Sequence, residues 1–131
     1  MKTLKEIIIE KLTITKDSKI SMYKYHPKST IELRYLVEKL IKTRGNDANL
    51  NDIDTSKITD MGNLFAYSNF DGDISKWEVS NVEDMHQMFY DSDFSGDNGD
   101  ISKWDVSKVK DMTRMFHNCP AMDNPPKWYH N

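Results

Sequence analysis

A short α/β repeat is the fold class this 131-residue sequence predicts: strand–turn–helix units stacked into a solenoid behind an N-terminal helical (α+β) cap. The first observation behind it is an internal repeat. ISKWEVSNVEDMHQMFYDSDF from Ile74 aligns with ISKWDVSKVKDMTRMFHNCPA from Ile101, and a weaker copy, LNDIDTSKITDMGNLFAYSNF, starts at Leu50. The second is composition. Only 37% of residues are hydrophobic and 30% are charged, which leaves too little apolar surface for a thick core and suits an elongated stack. The third is a division of charge along the chain, basic before residue 49 and acidic after it.

The register of the repeat locates an insertion. The Met of each Asp-Met pair falls at Met61, Met85 and Met112, steps of 24 and 27 residues. Trp77, Trp104 and Trp128 follow the same register, so PPKWYHN opens a fourth copy. The junction reads DGD between Phe70 and Ile74 but SGDNGD between Phe94 and Ile101, which places three extra residues near 95–100. That junction imitates a calcium loop, with Asp91, Asp93, Ser95 and Asp97 at alternate places and Gly96 at the sixth. An EF-hand needs a bidentate Glu at the twelfth place, where Ser102 stands, so the segment reads as a repeat junction.

Within a unit, Ser80 and Glu83 have the spacing of a capping box, and Val82, Met85, Met88 and Phe89 follow at helical spacing. The third copy offers Val109, Met112, Met115 and Phe116, and the first Ile58, Met61, Leu64 and Phe65. Such short helices are stable only when packed on their neighbours, so these residues are assigned to the core. Trp77 with Val79, and Trp104 with Val106, alternate with polar residues as strands do. Residues 1–48 predict a cap. Leu4, Ile7, Ile8 and Leu12 mark a short amphipathic helix, and Lys19–Tyr25 alternates as a strand. Ser29 and Glu32 then open a helix with an apolar stripe of Ile31, Leu36, Leu40 and Ile41 that ends near Gly45. The remaining residues, 49–131, form the acidic repeat domain.

The cap holds eleven Lys/Arg against six Asp/Glu, a net +5; the repeats hold seven against fifteen, a net −8. An acidic body repels phosphates, which argues against direct nucleic-acid binding and for a protein partner. Asp73, Asp84, Asp100, Asp105 and Asp111 recur at repeat spacing and form the candidate partner-binding acidic face; Lys24, Lys28, Arg34 and Lys39 are candidate basic contacts. Catalysis, cofactor and metal are not expected. His26, His86, His117 and His130 are scattered, His117 with Cys119 supplies too few ligands for zinc, and no phosphate-binding glycine loop is present. One cysteine excludes an internal disulfide framework, no run is long and apolar enough to span a membrane, and the N-terminus lacks a signal-peptide pattern. A cytoplasmic protein is the expectation.

The signature W-[DE]-V-S-x-V-x-D-M-x-x-M-F, with G-D-I-S at the junction, closely resembles the BspA-like leucine-rich repeats, whose unit is about 25 residues long. The resemblance covers residues 50–131. It implies a leucine-rich-repeat-like solenoid of three to four units that binds proteins, and it brings no catalytic residues. Short versions with a charged N-terminal segment look like those carried by phages and mobile elements. The expected function is therefore an intracellular, anti-CRISPR-like inhibitor of a host enzyme, such as a defence nuclease, acting by steric block or acidic nucleic-acid mimicry. The alternative is a structural or adhesive repeat protein of a virion or bacterial surface, and a third is a fragment of a longer repeat protein.

Overall fold

The computed structural model describes residues 3–12 and 23–130, with backbone alone for residues 9–12. Two α-helices come first, α1 (Leu4–Leu12) and α2 (Thr30–Arg44), and a 3-10 turn spans Pro120–Asp123. The strand expected over Lys19–Tyr25 lies mostly outside the described residues. Helix α1 opens with a reciprocal cap, in which Glu6 N–H donates to Thr3 Oγ1 and Thr3 N–H to the Glu6 carboxylate. Helix α2 starts at Ser29, whose hydroxyl accepts the N–H of Glu32, while the Glu32 carboxylate takes the N–H of Lys28 at 2.7 Å. It stops at Gly45, held at φ +99°, whose N–H donates to the carbonyl of Ile41. Its buried face is Leu33, Leu36, Val37 and Leu40; Ile31 points to solvent, 64% exposed.

The repeats correct the expected fold. Among the described residues they contain neither strands nor α-helices, so they do not form a strand–turn–helix, leucine-rich-repeat-like solenoid. Instead each repeat is a coil of consecutive turns, and the coils stack in parallel register. Among the described residues the ladder elements are isolated parallel bridges: Tyr25 with Ile53, Asn49 with Asp73, Asp60 with Asp84, and Asp84 with Asp111.

Backbone geometry shows why the helices fail. Asn63, Gln87 and Arg114 have φ between 52° and 59°, and Tyr67, Asp91 and Asn118 between 49° and 60°. Two left-handed residues per repeat, four positions apart, interrupt any right-handed helix. Hydrogen bonds then alternate. Met88, Tyr90 and Ser92 donate three residues back within their own coil, to Met85, Gln87 and Phe89. The intervening Met85, Gln87, Phe89 and Asp91 donate instead to Asp111, Thr113, Met115 and His117 of the next coil, at 2.8–2.9 Å. Coil one repeats the pattern from Met61, Asn63, Phe65 and Tyr67 to coil two. The expected capping box is absent as well: Ser80 N–H donates to Glu78, and Glu83 pairs with Lys110 at 2.9 Å.

Aromatic ladders run through the stack. Phe65, Phe89 and Phe116 lie parallel, with centroids 5.5 Å apart at each step and planes within 3°. Phe70 and Phe94 interleave with them at 4.7 and 4.1 Å. Burying each ring contributes about 1.5–3 kcal/mol, and ring–ring geometry adds about 0.5–1.5 kcal/mol per pair. A second ladder ties coils by polar bonds. The indole N–H of Trp77 donates to the carbonyl of Leu50, that of Trp104 to Ile74, and that of Trp128 to Ile101.

Helix α2 joins the same core and satisfies the first coil's outer edge. In coil two the carbonyls of Asp84 and His86 accept the N–H groups of Met61 and Asn63. In coil one the equivalent carbonyls of Asp60 and Gly62 accept instead the Thr30 hydroxyl and the Arg34 guanidinium. Thr30 and Arg34, four apart on one helix face, thus replace the hydrogen bonds of a preceding coil.

Candidate functional site

The acidic positions share a local rule. At each of the five an Asp accepts the backbone N–H of the Ser, Thr or His two residues later and closes an Asx-type turn, whereas Ser95, two residues after Asp93, turns its N–H to Asp71. Asp73 takes Ser75 at 2.9 Å, Asp84 takes His86 at 2.8 Å, Asp100 takes Ser102 at 2.8 Å, Asp105 takes Ser107 at 3.1 Å, and Asp111 takes Thr113 at 2.9 Å. Asp54 with Ser56, Asp60 with Gly62, and Glu78 with Ser80 use the same geometry. All five candidate acids are therefore turn-formers first. Four of them, Asp73, Asp100, Asp105 and Asp111, carry the turn signal in the sequence as D-x-[ST]; Asp84, in Asp-Met-His, does not.

Stacking turns these turns into columns. One runs Asp60–Asp84–Asp111, with parallel bridges at each step. By repeat register, Asp54–Glu78–Asp105 and Asn49–Asp73–Asp100 form two more. The turn bonds stabilise the charged form. The backbone and hydroxyl of Ser102 hold the Asp100 carboxyl below its ordinary value, and the same groups of Ser107 and Thr113 do so for Asp105 and Asp111. At Asp73 burial pushes upward, but hydrogen bonds from Ser75 and Asn51 outweigh it, and the carboxyl is again lowered.

One histidine sits inside this array. His86 Nδ1 lies 2.7 Å from Asp84 Oδ1, and its Nε2 faces the amide of Asn63 at 3.0 Å. Its pKa is raised, first by the Asp84 hydrogen bond and further by the charges of Asp84, Asp111 and Asp60, against a lowering by burial. Asp84, His86 and Asp111 each offer one ligand atom within 4.8 Å of the others. Three ligands fall short of a closed tetrahedral set, and the imidazole nitrogens are already engaged.

The junction insertion straps the stack together. Ser95 donates its N–H and hydroxyl to Asp71, and the Asn98 amide reaches the Asp71 carbonyl at 2.6 Å. The Asp91 carboxylate accepts the amide of Asn118 at 2.8 Å. Of the apparent calcium loop, Asp91 is thus turned to Asn118 and Ser95 to Asp71, so these two places do not face a common centre. Cys119 is buried and donates to the Phe94 carbonyl at 2.9 Å; burial pushes its thiol pKa up, away from nucleophile chemistry. The ring of His117 stacks on Tyr90, not on Cys119.

The basic candidates do not converge. Arg34 faces the carbonyls of Gly62 and Asn63 at 3.2 and 3.4 Å. Lys39 borders a cleft of about 450 Å³ between α1 and α2, with Lys5, Tyr35, Glu38 and Lys42. Lys24 lies over the ring of Tyr25, and Lys28 is exposed beside the N-terminus of α2.

A family model described as "Mycoplasma protein of unknown function, DUF285" matches residues 32–130, from α2 through all three coils. The match is consistent with a BspA-like repeat and names no catalytic activity. No curated protein and no solved structure matches the chain. Among the described residues no helix is long and apolar enough to cross a membrane.

Proposed function

The chain belongs to this DUF285 family, and from that premise we propose that it is a non-catalytic protein-binding module whose carboxylate columns engage a basic surface. The observation that carries this reading is the stacking of turn-closing acids into columns whose members Asp73, Asp100, Asp105 and Asp111 are biased toward the charged form. A rigid column of charge gives steering and register with little ordering cost on binding. The sharper form of the proposal is an inhibitor that occupies the basic nucleic-acid channel of an enzyme, as a charge mimic.

The test separates charge from turn formation. Asp84→Asn, Asp105→Asn and Asp111→Asn together remove three charges but keep the side-chain oxygen that closes each turn. Tagged wild-type and triple-variant proteins are used to capture partners from native lysate, with low- and high-salt washes. The expected result is a nucleic-acid-binding enzyme held by the wild type, released by salt, and captured far less by the variant. An unchanged captured set with unchanged salt release would sink the charge-based reading.

A further inference from the structure

The repeat supplies an internal standard for each of its positions, and Tyr67 departs from it. Its slot is left-handed in all three coils, with φ 60° at Tyr67, 49° at Asp91 and 53° at Asn118. Asp and Asn tolerate that conformation because their short side chains bond locally; a bulky aromatic does not. Asp91 and Asn118 also link their coils by a 2.8 Å hydrogen bond. Tyr67 breaks that ladder and is 72% exposed. Packing therefore gives no reason for a tyrosine here.

Its surroundings do. Tyr67 stands edge-on to Tyr90, with centroids 5.7 Å apart, and Tyr90 stacks on His117 at 5.0 Å with planes 15° apart. The three rings form a surface strip running across all the coils, with Tyr67 and His117 exposed at its ends. The Asp91 carboxylate accepts the amide of Asn118, which follows His117, and the N–H of exposed Asp93 donates to the carbonyl of Ser68, which follows Tyr67. Aromatic faces beside carboxylates suit a planar cation, because a guanidinium stacks on a ring while its N–H groups pair with acids.

Resting on the basic-partner reading above, we propose that Tyr67, Tyr90 and His117 form a docking strip for arginine side chains of a protein partner, with Asp91 and Asp93 supplying counter-charge. Arginine is preferred over lysine on such a strip, whereas carboxylate columns alone attract both alike.

The probes are oligo-arginine and oligo-lysine peptides of equal length, measured by fluorescence anisotropy at near-physiological salt. Wild-type protein is expected to favour the arginine peptide by about fivefold. Tyr67→Asn should abolish that preference and at the same time raise Tm by about 3 °C, by relieving the left-handed strain. An arginine preference that survives Tyr67→Asn, or a Tm that falls, overturns the strip. Equal binding of both peptides that disappears in the Asp84, Asp105 and Asp111 to Asn variant overturns the strip and leaves the charge reading standing. Binding of neither peptide overturns both.

Discussion

Arg34 donates from its guanidinium to the carbonyl of Gly62 at 3.2 Å, the place in the repeat where the carbonyl of His86 takes the N–H of Asn63 at 3.0 Å. A side chain of α2 thereby takes the place that a backbone donor holds at the next step of the stack. Arg34→Ala would leave that part-buried carbonyl without its protein donor, at a cost of about 1 kcal/mol. The midpoint of urea unfolding should fall accordingly. Wild-type stability in the variant would show that water replaces the guanidinium without loss.

The tryptophan ladder gives a graded comparison. Trp77 is buried and its indole N–H reaches the Leu50 carbonyl at 2.9 Å; Trp128 makes the equivalent bond at 3.0 Å but is only half-buried. Phenylalanine keeps most of the ring packing and removes the donor. Trp77→Phe is expected to cost about 1–3 kcal/mol, because the orphaned acceptor is shielded from water, and Trp128→Phe distinctly less. Equal losses at the two sites, read from unfolding midpoints, would contradict burial as the source of the difference.

Gln87 distinguishes a coil of turns from a helix by the sign of one substitution. It is held at φ 52°, and its N–H donates to the Thr113 carbonyl at 2.9 Å. In a helix, Gln87→Gly would cost about 1 kcal/mol. In a left-handed turn it relieves a strain of about 1–2 kcal/mol, offset by about 0.5–1 kcal/mol of unfolded-state entropy, for a net gain near 0.5 kcal/mol. A destabilised glycine variant would restore the helical account.

That ambiguity explains what was legible in the sequence and what was not. The register was plain, because Trp, Asp-Met and Met-Phe recur letter by letter at 24 and 27 residues. The conformation was not, because apolar residues three apart turn inward equally in a helix and in successive three-residue turns. Val82, Met85 and Met88 are buried under either geometry. What decides between them is the slots that hold Asn63 or Asn118, which tolerate left-handed backbone, and the D-x-[ST] turns; both are short polar signals that a hydrophobic pattern overrides on paper. The acidic face was visible as charge and missed as turn chemistry. Helix α2 was readable from Ser29, Glu32 and Gly45, yet its buried face ran through Leu33 and Val37 instead of Ile31, since only the coil it packs against fixes the rotation.

His86 should make stability depend on pH in a fixed direction. Its folded pKa lies above the ordinary 6.5, raised first by the hydrogen bond to Asp84, then by the charges of Asp84, Asp111 and Asp60. A raised folded pKa means that the imidazolium stabilises the native state fully below the unfolded value of about 6.5, and that this contribution is lost as pH rises through the folded value. The facing groups are Asp84 and Asn63 through hydrogen bonds, with Asp60 and Asp111 on the neighbouring coils. Since His86 and Asp84 are both more than a third exposed, salt should weaken the effect. Unfolding midpoints of wild type and His86→Gln, measured from about pH 5.5 to 8.5, should converge as pH rises, with the wild type ahead at the acidic end. A difference that is constant across that range would assign His86 a purely packing role, and one that widens with pH would reverse the sign of its coupling to the carboxylate column.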